Sequence, residues 1–436
     1  MKEFKYEKVY QSIVSDINDG YLHYQEKLPS VRKMAEKRGV SRTTVENAYV
    51  QLLNEGYIYS KEKVGYFVRI QDPVSNQLTL NRKSMLKEVK YDYDFSGQKV
   101  DDESFNIEVW KRYIKKALKY SDELTCYGNH SGEEILKIQL QNYCQNNRGV
   151  KRPIDSYVIG AGFQVLLYYV CALFDDDITV GVDESGFVQG EAVFHDCHMH
   201  IVKLKSDHEG IIIDELKRNH VNLIYVNSSS GGDHGHPIKQ QRRNELIKYA
   251  HDYNAYIIED DHNGELMFNS KPIDAMAKFD NQRIFYIGSF SKLLLPSIRM
   301  SYLALPIPFL EQFKIKMKYY HPTASKLEQL ALALYIEDGQ LSRHLKRLRK
   351  HYYVKSNKML ELLKDSFPQH HFELYETSLM ITMSVDQDKI DSYIDLAKEN
   401  HILVAKNSYH QIALSISGMI LEDIEKAILL LKRIWK

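Results

Sequence analysis

The sequence predicts two folded parts: a small α+β module over residues 1–70, and an α/β domain over 94–436 that closes in an α+β subdomain. Three observations predict this. Short helical periods rich in basic residues run to about residue 54 and are followed by a hairpin pattern. From Tyr157 onward apolar strand-like runs alternate with helical ones, the mark of a mostly parallel sheet covered on both faces. Past Pro322 the pattern turns to long amphipathic helices and short strands. A chain of 436 residues suits one small and one large domain.

In the first part, Val9, Tyr10, Ile13, Val14 and Ile17 fall at helical spacing and stop at Asp19-Gly20. Ser30 suits an N-cap for a second helix carrying Val31, Met34 and Ala35, which ends at Gly39. Ser41 caps a third with the stripe Val45, Ala48, Tyr49, Leu52 and Leu53. This is helix-turn-helix spacing. Bases crowd it: Lys27, Arg32, Lys33, Lys37, Arg38 and Arg42, opposed only by Glu36. Ser41, Arg42, Thr43 and Thr44 open the third helix, where an inserted recognition helix offers side chains and unpaired N–H groups to DNA. Strands near Tyr57–Lys61 and Tyr66–Arg69 around Gly65 make a hairpin the size of a wing, where Lys61 and Lys63 would meet phosphate. Spacing alone also allows a solvated three-helix module whose basic face does nothing. Residues 71–93 are polar, without sustained period, and read as a linker.

The larger part has strands expected at Tyr157–Ile159, Ile178–Val182, Leu223–Val226, Tyr256–Glu259, Arg283–Ile287 and Ser301–Leu305. Helices are expected at Gln164–Phe174 and Lys239–Tyr253, then at Ser325–Glu337 and Gln340–Leu363. Short strands near Leu379–Val385 and Gln411–Ser417 and a helix over Leu421–Trp435 complete a small subdomain, about 321–436, behind a large one, about 124–320. Open α/β sheets bind ligands at the carboxyl ends of their strands. There lie Asp260, after one apolar run, and Lys292 just beyond Gly288, after another. A lysine so placed can bond an aldehyde cofactor, a carboxylate can keep a pyridinium nitrogen protonated, and Arg299 with the Ser289 and Ser291 hydroxyls is what a phosphate requires.

Lys plus Arg equals Asp plus Glu at 58 each, so net charge argues nothing about nucleic acid. Cys126, Cys144, Cys171 and Cys197 form no C-x-x-C pair, which suits free thiols in a reducing compartment. No signal-type or membrane-length apolar segment stands out, so a soluble cytoplasmic protein is expected, with no membrane partner. The run His195-Asp196-Cys197-His198-Met199-His200 alternates as along a strand and has no second cluster; no metal site is expected.

LPSVRKMAEKRGVSRTTVENAYVQLLNEGYIYSKEKVGYFV resembles the winged helix-turn-helix of the GntR family. By that resemblance Arg32, Arg42 and Thr44 contact DNA. IIEDDHNGEL and IFYIGSFSKLLLPSIRMSYLALP resemble fold type I aminotransferases, and more closely the MocR (GabR-like) regulators, in which a GntR-type reader is fused to an aminotransferase-like domain. YGNHSGEEIL and IGAGFQVL match further blocks of that group. The resemblance implies a DNA-binding regulator that acts as a homodimer on a double-stranded operator and binds pyridoxal 5′-phosphate. Lys292 would be its Schiff-base lysine and Asp260 the ring-nitrogen partner. Ser289, Ser291, Arg299, Gly162, Phe163 and Gln164 would hold phosphate, Phe187 would join the cofactor set, and Tyr127 would reach the partner subunit's cofactor.

Departures from the group's pattern qualify its function. His262 replaces a tyrosine that bonds the cofactor's 3′-oxygen. Ser228–Gly235 rewrites the turn beside the cofactor, and Ser185-Gly186-Phe187 stands where the group has PGY. Asn407–Leu431 contains no arginine to clamp an amino-acid carboxylate, and Ala413 takes that place. A regulator without full transaminase activity, sensing cofactor or a small amine-type effector, is therefore expected. A working aminotransferase with an accessory DNA-binding domain and a cofactor-free DNA-binding dimer are the alternatives.

Overall fold

A computed structural model describes residues 5–62, 64–69, 90–101, 103–174, 177–231, 236–269, 272–407 and 410–435. Lys63 and most of the linker expected over 71–93 lie outside the described residues. The chain divides into two compact units, Met1–Val89 and Lys90–Lys436.

The smaller unit contains α1 (Lys5–Asn18), α2 (Val31–Arg38), α3 (Arg42–Asn54), β1 (Ile58–Lys61) and β2 (Gly65–Val68). Ser30 Oγ accepts from Lys33 N and starts α2, and Gly39, at φ 63° in the left-handed region, stops it with its N–H on Ala35 O. Ser41 then caps α3 by accepting from Thr44 N. The apolar stripes of all three helices meet in one core of Val9, Ile13, Met34, Val45, Ala48, Leu52 and their neighbours. The antiparallel β1–β2 hairpin closes it with Ile58 and Val68. Lys27 bridges to Phe67, which adds a third short strand contact to the wing.

The larger unit opens with β3 (Tyr93–Asp94), α4 (Ile107–Ala117), α5 (Ser121–Leu124), α6 (Glu134–Arg148), β4 (Tyr157–Gly160), α7 (Phe163–Cys171) and β5 (Thr179–Asp183). There follow α8 (Val188–Asp196), β6 (His200–Leu204), β7 (Ser206–Asp207), β8 (Gly210–Ile211), α9 (Ile213–Arg218), β9 (Leu223–Asn227) and α10 (Gln240–Asp252). Next come β10 (Tyr256–Asp260), β11 (Ile284–Ser289), β12 (Ser301–Ala304), α11 (Leu310–Met317), α12 (Lys326–Glu337) and α13 (Gln340–Ser366). The chain ends with β13 (Phe372–Tyr375), β14 (Met380–Met383), α14 (Gln387–Glu399), β15 (Ile402–Leu403), β16 (Ala405–Lys406), β17 (Ile412–Ser415) and α15 (Leu421–Ile434).

Seven strands form the main sheet in the order β4-β12-β11-β10-β9-β5-β6, with β12 antiparallel to both neighbours. Alternate residues of each strand enter different cores. Ile257, Ile284, Tyr286 and Ile224 join one, while Ile258, Phe285, Ile287 and Tyr225 join the other, beneath α7 and α8. The small subdomain is an antiparallel sheet, β13-β14-β17-β16, backed by α13, α14 and α15.

The run from His195 corrects the expectation of an alternating strand. His195 and Asp196 end α8, His198 takes φ 57° in the turn, and the strand begins only at His200. Among the described residues no group of His, Cys, Asp or Glu is arranged to hold a metal ion.

Candidate functional site

On the smaller unit, Arg42 and Thr43 are exposed at the first turn of α3. Thr44 is half-buried, its hydroxyl 2.8 Å from Ser41 Oγ, so Ser41 and Thr44 hold the helix start while Arg42 and Thr43 face outward. Arg42 has no hydrogen bond or ion pair among the described residues, whereas Arg32 bonds Glu36 at 3.1 Å and Arg38 bonds Ser12 Oγ at 2.7 Å. On the wing, Lys61 Nζ lies over the stacked rings of Tyr59 and Phe67, 5.7 and 5.1 Å from their centroids. Gly65 sits at φ 133°, where a Cβ would come within 3.2 Å of Lys27 Cε. The exposed cations thus come from α2, the start of α3 and the hairpin, as phosphate contact requires.

In the larger unit, register brings the candidate cofactor residues to one edge. Asp260 ends β10 and pairs with Asn227 on one side and Ile287 on the other. Two residues beyond Ile287 comes Ser289, which pairs with Ser301, and Ser301 pairs with Gly160 at the end of β4. Because β12 runs the other way, the residues before Ser301, Arg299 among them, lie at this same edge.

The two adjacent aspartates point to opposite faces. Asp261 is buried and gripped by Arg148, with Nε and Nη2 at 2.5 and 2.8 Å, and by the Tyr286 hydroxyl at 2.8 Å. Asp260 faces the other core and has a single neutral partner, the Tyr225 hydroxyl at 2.8 Å. Burial raises its carboxyl from 3.8 to about 7, against the bond from Tyr225. Of the pair, Asp260 is the one left free to meet a cationic ring.

Gly162 caps α7 at φ 101° with no side-chain capping bond. A Cβ there would lie 2.8 Å from Arg299 Nη2. Arg299 itself is exposed, at φ 49°, and has no ion pair or hydrogen bond among the described residues. Ser289, Ser291 and Ser301 join through their hydroxyls at 3.2 Å. A guanidinium without a carboxylate against the glycine that starts a helix, and a hydroxyl cluster at the same sheet edge, are the donor types a phosphate group takes. Phe163 and Phe187 pack on Tyr225, the Phe187 ring nearly parallel to it at 5.3 Å. Gln164 is exposed and donates to Gln189 O at 3.2 Å.

Lys292 follows β11. Its ammonium donates to Gly97 O and lies 3.5 Å from Ser417 Oγ. Burial lowers its pKa below the usual lysine range, with Asp94 opposing. Burial, and then the Lys292 charge, lower His262 to about 4, so its imidazole is neutral at neutral pH. The set fits pyridoxal phosphate on these observations: a donor cradle that a side chain at Gly162 would fill, an uncommitted carboxylate, and a lysine inclined to lose its proton.

Tyr127 does not join them within one chain. It is 91% exposed and touches His321, ring to ring at 5.7 Å. Ala413 is buried on β17, paired with Thr382 and Ala405. Sequence reasoning missed Tyr225, Ser301, Gly97 and Ser417. Tyr225 carried a faint signal, a hydroxyl two residues from a strand end, while the others depend on pairing between distant segments.

Comparison with known proteins agrees with this architecture. Residues 5–68 match the family of bacterial regulatory proteins of the gntR type. The chain is 31% identical to YdeL of Bacillus subtilis (strain 168), an HTH-type transcriptional regulator, over 99% of this chain and 96% of that one. It is 27% identical to a protein described as the "probable rhizopine catabolism regulatory protein MocR" of Rhizobium meliloti, over 79% and 74%. Kynurenine aminotransferase of Pyrococcus horikoshii, solved with PMP, superposes with a TM-score of 0.68 at 20% identity, covering 78% of this chain and 89% of that one.

Proposed function

We propose, from the premise that this chain belongs to the MocR-like branch of the GntR family of DNA-binding transcriptional regulators, that its larger unit holds pyridoxal 5′-phosphate as a sensing group rather than as a catalyst of transamination. The observation that carries this reading is the unpaired Arg299 over Gly162, beside an Asp260 that lacks a cationic partner. Arg299, Ser289, Ser291 and the first turn of α7, with Phe163 and Gln164, would take the phosphate. Asp260 would take the protonated ring nitrogen, held in place by Tyr225. Neutral His262 would bond the 3′-oxygen, and Phe187 would cover the ring. Tyr127, exposed in one chain, would serve the site of a second copy in a homodimer. When bound, the cofactor supplies an aldehyde carbon and an electron-withdrawing ring. Lys292 supplies the amine, and burial favours the neutral form that can attack a carbonyl.

Ala413 argues against amino-acid turnover. A charge-assisted bidentate pair is worth on the order of 2–3 kcal/mol, and a methyl group at that register offers none. The Arg42 surface and the wing, with Lys61 and Lys63, would engage paired half-sites of a double-stranded operator in the cytoplasm. Lys292 also contacts Gly97, near the start of the larger unit.

The test is the visible spectrum of the purified protein with pyridoxal phosphate. A band absent in Lys292→Ala is expected, with no keto-acid release from a panel of amino acids. A featureless spectrum refutes the cofactor assignment, and steady keto-acid production refutes the sensing role.

A further inference from the structure

A cavity of about 250 Å³ opens beside the cofactor residues, between the carboxyl ends of β5 and β9 and the small subdomain. Of the residues assigned above to the cofactor site, Phe187 lines it, as does Tyr225, which holds Asp260. Its chemistry differs from that of the phosphate cradle. Asp183 is the one charged residue among the described residues that line it, and it makes no ion pair with any described residue. Its Oδ1 accepts from Ser185 N at 2.7 Å and its Oδ2 from the Ser206 hydroxyl, which leaves a lone pair on each oxygen unused. Three aromatic rings share the lining: Phe187, Tyr225 and Tyr375. The Tyr225 hydroxyl is committed to Asp260 and its ring is stacked on Phe187, so the two side chains form one aromatic wall.

A carboxylate ligand here would meet Asp183, and the described cation beside the lining, Lys203 next to Gly186, is already paired with Glu191. An alkylammonium ion would meet the reverse: one formal negative charge and aromatic faces that attract cations electrostatically. Aromatic walls with a nearby carboxylate are the arrangement by which proteins hold quaternary ammonium groups. We propose that this cavity is a second ligand site, for a small organic ammonium ion without a carboxylate, adjoining the cofactor residues through Phe187. It goes beyond the cofactor reading and does not need it, because Lys292 and Arg299 take no part.

Choline is the probe, since a quaternary nitrogen cannot condense with an aldehyde. Its neutral carbon isostere, 3,3-dimethylbutanol, is the control. Isothermal titration of the full-length protein should give saturable choline binding, one per chain, at least tenfold tighter than the isostere. Asp183→Asn and Tyr375→Leu should each weaken choline at least tenfold, and Lys292→Ala should not change it. Equal binding of choline and its isostere to the unmodified protein, or no saturable heat, overturns the proposal even if a variant fails to fold. A folded Asp183→Asn protein that binds choline normally overturns it as well. Choline binding without any pyridoxal band would refute the cofactor reading and leave this site standing.

Discussion

Replacing Asp260 by asparagine should stabilise the cofactor-free protein, and only above a definite pH. The carboxyl titrates at 3.8 in a solvated chain and at about 7 in the fold, where burial opposes its charge. Below about pH 4 it is protonated in both states and carries no penalty. Between about 4 and 7 the unfolded chain releases the proton and the folded one keeps it, so stability falls as pH rises; above about 7 the penalty is complete. At about 1.36 kcal/mol per pKa unit, that penalty is on the order of 4 kcal/mol. Asparagine does not titrate, keeps an oxygen for the Tyr225 hydroxyl and fills the same space. For the larger unit, Lys90–Lys436, roughly 2 cal/mol/K per residue translates that energy into a Tm gain on the order of 5 °C. Calorimetry of both proteins without cofactor from pH 5 to 8 is the assay. The gain should be about two-fifths of its full value at pH 5 and grow to its plateau near pH 8. A Tm difference independent of pH would refute the argument, because it would mean that Asp260 is not ionised against its surroundings. With pyridoxal phosphate present the order should invert, since asparagine cannot pair with a protonated ring nitrogen.

Arg299→Ala should weaken pyridoxal phosphate by about 30- to 150-fold, the loss of a charge-assisted pair of 2–3 kcal/mol; titrated absorbance measures it, and pyridoxal without phosphate should be unaffected. Arg42→Ala should reduce operator affinity and flatten its salt dependence by about one counterion, leaving the pyridoxal band untouched; fluorescence anisotropy at several salt concentrations would show both. Asp261→Ala strands Arg148, 2% exposed, without its bidentate partner. It should cost about 3–5 kcal/mol by denaturant unfolding, and a smaller loss would mean that water reaches the guanidinium.

Much of the fold was readable because its strands are short and apolar and its helices periodic. Ile257-Ile258-Glu259-Asp260 and Ile284–Ser289 could hardly be anything but buried strands ending on polar groups. The edge strand His200–Leu204 was not identified as one, because its exposed polar residues, His200 and Lys203, fall on opposite faces and break the alternation. Helix α14 was missed for a similar reason: Ile390, Ile394 and Ala397 are its buried positions, spread among charged residues. At the site, residue types could be read but commitments could not. Period-two alternation dictates that Asp260 and Asp261 face apart, yet only the packing of Arg148 and Tyr286 reveals which carboxylate is already spoken for. The Lys292 contact to Gly97 spans 195 positions and leaves no local trace.

Asp260 and Ala413 act in the same direction. Asp260 holds an energetically unfavourable charge in the absence of a cation, so any ligand that supplies one is bound with the release of that penalty. On the proposed reading, Ala413 stands where an arginine would seat an amino acid for turnover. On that reading the two would favour occupancy over conversion, since binding would be rewarded and the next chemical partner would not be held. By linkage, occupancy then stabilises the unit in proportion to ligand concentration. That is the property the proposed sensing role requires of the domain, and a buried carboxylate and a missing arginine would supply it.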